Sequence, residues 1–150
     1  MAMNEEVVIL IAEDDEGHAG LIRKNLFRGG IVNETIHFTD GQAVLDFLFR
    51  KGAGQIREAG RAYVLLLDIR MPSVDGIEVL SRVKTDPELR KIPVVMITTT
   101  DDPGEISRCH QLGCSSYISK PVDYEAFVEA IRQLGLFLSV VQIPELNGGK

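Results

Sequence analysis

Glu13, Asp14 and Asp15 follow one apolar run of this sequence, Asp68 follows another, Thr98 closes a third, and Lys120 follows a shorter strand-like run, 116–119. Carboxylates gathered in one place repel one another unless a cation sits among them, and hard oxygen donors with room for water suit Mg2+. With the cation at Asp14 and Asp68, and Glu13 acting through water, Asp68 is placed to attack a phosphoryl group. Phosphoryl transfer is catalysed mostly by positioning and by neutralising charge on the equatorial oxygens. Mg2+ would serve one oxygen, the Lys120 ammonium a second and the Thr98 hydroxyl a third. The product is an aspartyl phosphate. It adds about two negative charges, enough to rearrange the loops around it.

Strands whose carboxyl ends converge must position these groups. Residues 7–12, 62–67 and 92–97 are apolar and bounded by turn residues, the pattern of strands buried on both faces of a parallel sheet. Two shorter strands are predicted at 34–38 and 116–119. Between them the spacing predicts helices. The first carries Ala19, Ile22 and Leu26 on one face and stops at Gly29 and Gly30. The second starts at Asp40 and Gly41 and buries Ala43, Val44, Phe47 and Leu48. The third starts near Gly76, where Asp75 and Glu78 have capping-box spacing, and runs to about Lys84 before Asp86 and Pro87. A short fourth helix runs from Asp102 and Pro103 to Gly113. The last is capped by Asp123 and striped by Phe127, Ile131, Leu134, Leu138 and Val141. The order is (βα)5, which right-handed crossovers turn into a doubly wound, five-stranded parallel sheet of the α/β class. Ligands of such sheets bind beyond the carboxyl ends of the strands, where the acidic residues gather.

With 150 residues, 45% of them hydrophobic, the chain suits one domain spanning 1–150, and no output domain is expected. A net charge of -6 argues against a general grip on nucleic acid or an anionic membrane surface. No apolar run approaches the roughly 18 residues of a membrane span and the start is unlike a signal peptide, so a cytoplasmic location is expected. Two cysteines, Cys109 and Cys114, are too few for a disulfide scaffold and fit a reducing compartment. With His110 they make a poor zinc site, lacking a fourth ligand, and Cys109 is better placed as a buried helix residue. His18 and His37 stand outside any catalytic arrangement and are expected at the surface or a sheet edge. Residues 50–61 hold four basic residues against one acidic one and are expected to form a long, solvated, mobile loop. Within it Gly52 and Gly54 do not make a nucleotide loop, because Arg57 replaces the third glycine.

The acidic pair after the first strand, the D-x-x-M-P-x-x-D-G run from Asp68 to Gly76, the strand-ending Thr98, and the aromatic-x-x-K-P run from Tyr117 to Pro121 resemble the receiver domain of two-component response regulators. The resemblance covers residues 7–139 or so and implies the flavodoxin-like receiver fold. It implies that Asp68 is the phosphoacceptor, that Asp14 and the backbone carbonyl of Arg70 ligate Mg2+, and that Glu13 is the outer acid. Asp15 is the less favoured ligand, with the register open by one residue. Lys120 is the ammonium, Thr98 the switch hydroxyl and Tyr117 the switch aromatic. A cis peptide between Lys120 and Pro121 is implied. So is activation in which Thr98 moves toward the phosphate and Tyr117 turns inward, altering the surface of the fourth helix, fifth strand and fifth helix. Arg70 and Thr100 lie where the family tunes access of water.

Such a protein takes phosphate from a histidine kinase and catalyses only its own phosphorylation and dephosphorylation. A haloacid-dehalogenase-type phosphatase would carry an acid two residues after the nucleophile, where this chain has Arg70. A scaffold that never takes phosphate is disfavoured by the joint presence of Asp14, Asp68, Thr98 and Lys120. The long 50–61 loop and the extension of the fifth helix over about 135–150 further resemble the single-domain regulators that serve phytochrome-type kinases. Output would then pass to a downstream partner or phosphotransfer protein. Leu136, Phe137, Val140 and Ile143 add apolar surface beyond the core stripe, which suggests a homodimer through helix five and the tail. The alternative is a tail folded back over its own core.

Overall fold

The three apolar runs become the three central strands of a computed structural model that describes residues 6–99, 102–120, 123–140 and 143–146. In chain order the elements are β1 (Val8–Ala12), α1 (Glu16–Arg28), β2 (Thr35–Phe38), α2 (Gly41–Phe49), β3 (Tyr63–Leu67), α3 (Gly76–Thr85), β4 (Val94–Thr98), α4 (Pro103–Leu112), β5 (Ser116–Ser119) and α5 (Tyr124–Val140). A 3-10 turn, Leu89–Lys91, precedes β4 and adds to the elements that the spacing predicts. The sheet order is β2-β1-β3-β4-β5, every pairing parallel, as the (βα)5 pattern requires. The order reverses direction between β1 and β3, so their carboxyl ends lie side by side, with Ala12 opposite Leu67. That switch point is where a doubly wound sheet leaves its crevice.

Alternate residues of each central strand enter opposite cores, which is why these strands are apolar throughout. Leu10, Leu65, Leu67 and Met96 pack with Val44, Leu48, Val79, Val83 and the buried Cys109 on one face. Ile9, Ile11, Leu66 and Ile97 pack with Ala19, Ile22, Leu26, Phe127, Ile131, Leu134 and Leu138 on the other. The edge strands β2 and β5 are only half-buried, which accounts for their mixed sequences. Asp40, Asp75, Asp102 and Asp123 cap α2 to α5 as the spacing predicts, each accepting a backbone N–H of the first turn. The Glu78 side chain instead lies 3.6 Å from Arg82, one turn along. Among the described residues no helix is long and apolar enough to cross a membrane.

Residues 50–61 form the exposed surface loop that their composition predicts, except at one basic residue. Arg57 is 6% exposed. Its Nε donates to the Leu48 carbonyl at 2.9 Å and its backbone N–H to the Phe47 carbonyl at 3.1 Å. The end of α2 leaves carbonyls without helical partners, and a guanidinium suits that negative end of the helix dipole. The Tyr63 hydroxyl accepts the Glu58 N–H at 2.8 Å and pins the other side of the loop.

The tail meets the same loop. The Leu146 N–H donates to the Arg61 carbonyl at 2.9 Å, the Gly60 N–H to the Leu146 carbonyl at 2.8 Å, and Glu145 bridges Ala62 antiparallel at the amino end of β3. Ile143 packs on the core shared by α1 and α5, whereas Leu146 is buried in the other core. The assignment of Ile143 to an outward apolar surface is therefore corrected: the tail straps across the amino end of the sheet from one layer to the other. Leu136, Phe137 and Val140 do stay exposed, at 58%, 37% and 72%. Val141 lies outside the described residues. Leu146→Ala should lower unfolding stability by about 2 kcal/mol in urea titration, with the helical circular dichroism unchanged.

Candidate functional site

The ladder that joins β1 to β3 continues one residue past β3, because the Asp68 N–H donates to the carbonyl of Ala12, the last residue of β1, at 3.0 Å. Glu13 and Asp68 thereby become neighbours. Carboxylate oxygens of Glu13, Asp14 and Asp68 lie within 4.8 Å of one another, with Glu13 and Asp68 buried and Asp14 open to solvent. Asp15 is occupied otherwise. It caps α1, its Oδ1 accepting the His18 N–H at 3.0 Å, and the cluster is made by Glu13, Asp14 and Asp68.

Lys120 arrives at the same place from the end of β5, its backbone N–H held by the Thr98 carbonyl at 2.6 Å. The Nζ is enclosed and has three acceptors: Glu13 Oε1 in a short contact, His18 Nδ1 at 3.1 Å and Asp68 Oδ2 at 3.4 Å. An ammonium has three N–H donors, so all are used. Two buried polar atoms among the described residues have no partner: Asp68 Oδ1 in this cluster, and Thr98 Oγ1 at the end of β4, on the residue whose carbonyl holds the Lys120 N–H. Buried polar atoms are rarely left unpaired, because each costs about 1–3 kcal/mol. An orphan carboxylate oxygen beside two further carboxylates fits a hard divalent cation such as Mg2+. Among the described residues this is the one cluster with metal-ligand geometry.

Burial pushes the Glu13 carboxyl up from 4.5 to about 7, aided by the Asp68 charge and opposed by the hydrogen bond from Lys120. An acid whose pKa is raised by folding binds its proton more tightly when folded. Its contribution to stability is full below 4.5 and is lost as the pH rises through about 7. Measured by urea unfolding without divalent cations, the wild type should therefore lose stability relative to Glu13→Gln across that interval. Mg2+ should reduce the difference.

Tyr117 is half-buried on β5, against the core of α2 to α4, and burial pushes its hydroxyl up to about 12. Arg70 turns its guanidinium to α4, where Nη2 lies 3.1 Å from Glu105 Oε2. Thr100 and the Lys120–Pro121 peptide lie outside the described residues. Cys109 and Cys114 are buried free cysteines, and burial raises both thiols, Cys109 to about 11. The two histidines lie where the sequence places them, His37 on the edge strand β2 and His18 partly exposed, but their contacts are missed. His37 Nε2 is 2.6 Å from the Glu13 carbonyl oxygen, and His18 touches Lys120. A signal for His18 does exist in the sequence: it stands in the first turn of a helix that begins at the crevice.

A doubly wound parallel sheet with an acidic pit at its switch point, into which a lysine from the end of β5 projects, is the arrangement of a response-regulator receiver domain. The chain belongs to the response regulator receiver domain family, with residues 9–132 matched. It is 52% identical to a response regulator receiver domain from Rhodospirillum rubrum of known crystal structure, over 94% of this chain and 99% of that one, with a TM-score of 0.87. It is 30% identical to response regulator Rcp1 of Synechocystis sp. over 142 residues, 94% of this chain and 95% of Rcp1. The crystal structure of the Mn2+-bound form of Rcp1 superposes with a TM-score of 0.81 at 28% identity, covering 91% of this chain and 98% of that one. The phosphorylated cyanobacterial phytochrome response regulator RcpA superposes with a TM-score of 0.80 at 26% identity, over 96% and 99% of the two chains.

Proposed function

We propose that this protein is a single-domain response regulator that a histidine kinase phosphorylates on Asp68. The observation that carries the reading is the state of the Asp68 carboxylate, with Oδ2 facing the Lys120 ammonium and the buried Oδ1 unpartnered. Asp14, Asp68 and the Arg70 main-chain carbonyl would hold Mg2+, with Glu13 as the outer acid, and the cation would supply charge neutralisation at the phosphoryl oxygens. Asp68 forms the new O–P bond as the bond from phosphorus to the kinase's phosphohistidine nitrogen breaks. Lys120 redirects an N–H to a phosphoryl oxygen. The Thr98 hydroxyl, lacking a partner before the phosphoryl group arrives, donates to another. Thr98 and Tyr117 then carry the change to the face of α4, β5 and α5. The protein acts on no substrate but its own phosphate.

Similarity to RcpA supports a phytochrome-type kinase as the donor, and the signal leaves by contact with a partner protein or by phosphorelay. The exposed Leu136, Phe137 and Val140 support a homodimer through α5. Sedimentation that shows only monomer at high concentration, before and after phosphorylation, would remove the dimer from this reading. The chemistry is tested by intact-mass analysis after incubation with acetyl phosphate. One phosphoryl adduct should form with Mg2+, vanish with chelator and be released by hydroxylamine, as an acyl phosphate is. No adduct, or one stable to hydroxylamine, overturns the assignment.

A further inference from the structure

We propose that His18 is a positioning residue for phosphoryl transfer, its Nδ1 holding the Lys120 ammonium on the open side of the acidic pit. The inference rests on the reading of Asp68 as phosphoacceptor. Of the three acceptors around Lys120 Nζ, the Glu13 and Asp68 carboxylates are enclosed, whereas the His18 side chain is 41% exposed. The incoming phosphoryl group arrives from solvent, so His18 is the partner on its side. The nearest atom to His18 Nδ1 in this group is the ammonium at 3.1 Å, with Glu13 Oε2 and Asp15 Oδ2 at 3.9 and 4.0 Å. A ring nitrogen that accepts from an ammonium carries a lone pair, which places the ring proton on Nε2.

A neutral acceptor has an advantage here. Carboxylates draw the ammonium inward and also repel an anionic phosphoryl donor, whereas an imidazole lone pair orients the ammonium without adding negative charge. His18 is itself fixed by the fold: it sits in the first turn of α1, its backbone N–H bound by the Asp15 cap. Lys120 therefore has one partner that steers it outward at no electrostatic cost to the reaction.

The test compares initial rates of phosphorylation by acetyl phosphate at saturating Mg2+ for the wild type, His18→Ala and His18→Asn, with thermal unfolding as the check on folding. Asn Oδ1 occupies nearly the place of His Nδ1 and is also a neutral acceptor. His18→Ala should react about tenfold more slowly, the effect of one hydrogen bond from a charged donor, and His18→Asn should recover most of the loss. A general loss of packing would not be restored by asparagine. A reactive wild type with His18→Ala reacting equally fast, or with His18→Asn as slow as His18→Ala, overturns the role of His18. A wild type that forms no adduct overturns the assignment of Asp68 as well.

Discussion

Asp68→Asn should fold, form no phosphoryl adduct with acetyl phosphate and Mg2+, and unfold at a higher temperature than the wild type when divalent cations are absent. The loss of reaction follows from chemistry, because a neutral amide is too poor a nucleophile to form the O–P bond and contributes no charge to a cation site. The gain in stability follows from the electrostatics of the acidic pit. Glu13, Asp14 and Asp68 share a space into which one ammonium projects, and the Asp68 charge is among the causes that raise the Glu13 carboxyl. Removing one carboxylate relieves that repulsion while Glu13 and His18 still satisfy Lys120, a gain of about 1 kcal/mol. Mg2+ should reverse the order, stabilising the wild type and leaving the variant nearly unchanged. Intact mass and thermal scans with and without the cation read both halves. An adduct that persists in Asp68→Asn would move the acceptor to Asp14 or Glu13, and a variant less stable than wild type without cation would mean that Lys120 needs Asp68 more than Glu13 is troubled by it.

How far the sequence carries this site depends on the range of the interactions involved. Asp68, Thr98 and Lys120 each stand at the end of a strand, and in a parallel sheet such ends meet on one edge whatever the details of packing. Asp14 against Asp15 is not decided that way. It turns on where α1 begins, and Asp15 is spent on the cap of that helix. The β1-to-β3 adjacency that joins Glu13 to Asp68 follows from the switch in strand order, which the (βα)5 pattern predicts in outline. What stays hidden is what depends on contacts between distant segments. The 50–61 loop and the tail beyond α5 are separate features in the sequence, and only the fold shows that Gly60, Arg61 and Ala62 bind Glu145 and Leu146. Arg57 is similar: its charge predicts solvent, but the carbonyls at the end of α2 offer it a buried place. His18 escapes in part: its place in the first turn of a helix at the crevice is legible, but its contact with Lys120, 102 residues away, is not.

Gly76→Ala should be one of the two most damaging glycine-to-alanine changes among the described residues, and the one that acts directly on Asp68. Gly76 opens α3 immediately after the loop that carries Asp68, and its N–H donates to the Ile69 carbonyl at 2.8 Å. A Cβ there would lie 2.0 Å from the Asp68 carbonyl oxygen and 2.8 Å from Ile69 Cα, both backbone atoms that no rotamer can move aside. Gly41 makes the matching approach from α2, where a Cβ would fall 1.8 Å from the Val74 carbonyl oxygen. The loop between β3 and α3 is thus clasped by the bare backbones of two helix starts, and relieving the Gly76 clash shifts the Asp68 main chain by about 1 Å. Overpacking against backbone costs about 4 kcal/mol here, at the upper end of single substitutions, and a shift of that size at a reacting group lowers its rate roughly 100-fold. Gly20→Ala is the control. It lies within α1, where an alanine methyl would meet nothing within 4 Å, so the substitution should stabilise the helix by about 1 kcal/mol. Urea unfolding of the two variants, with phosphorylation rates measured on the folded fraction, separates the two costs. If Gly76→Ala matched the wild type in stability and rate, the clasp would not be what sets the position of Asp68.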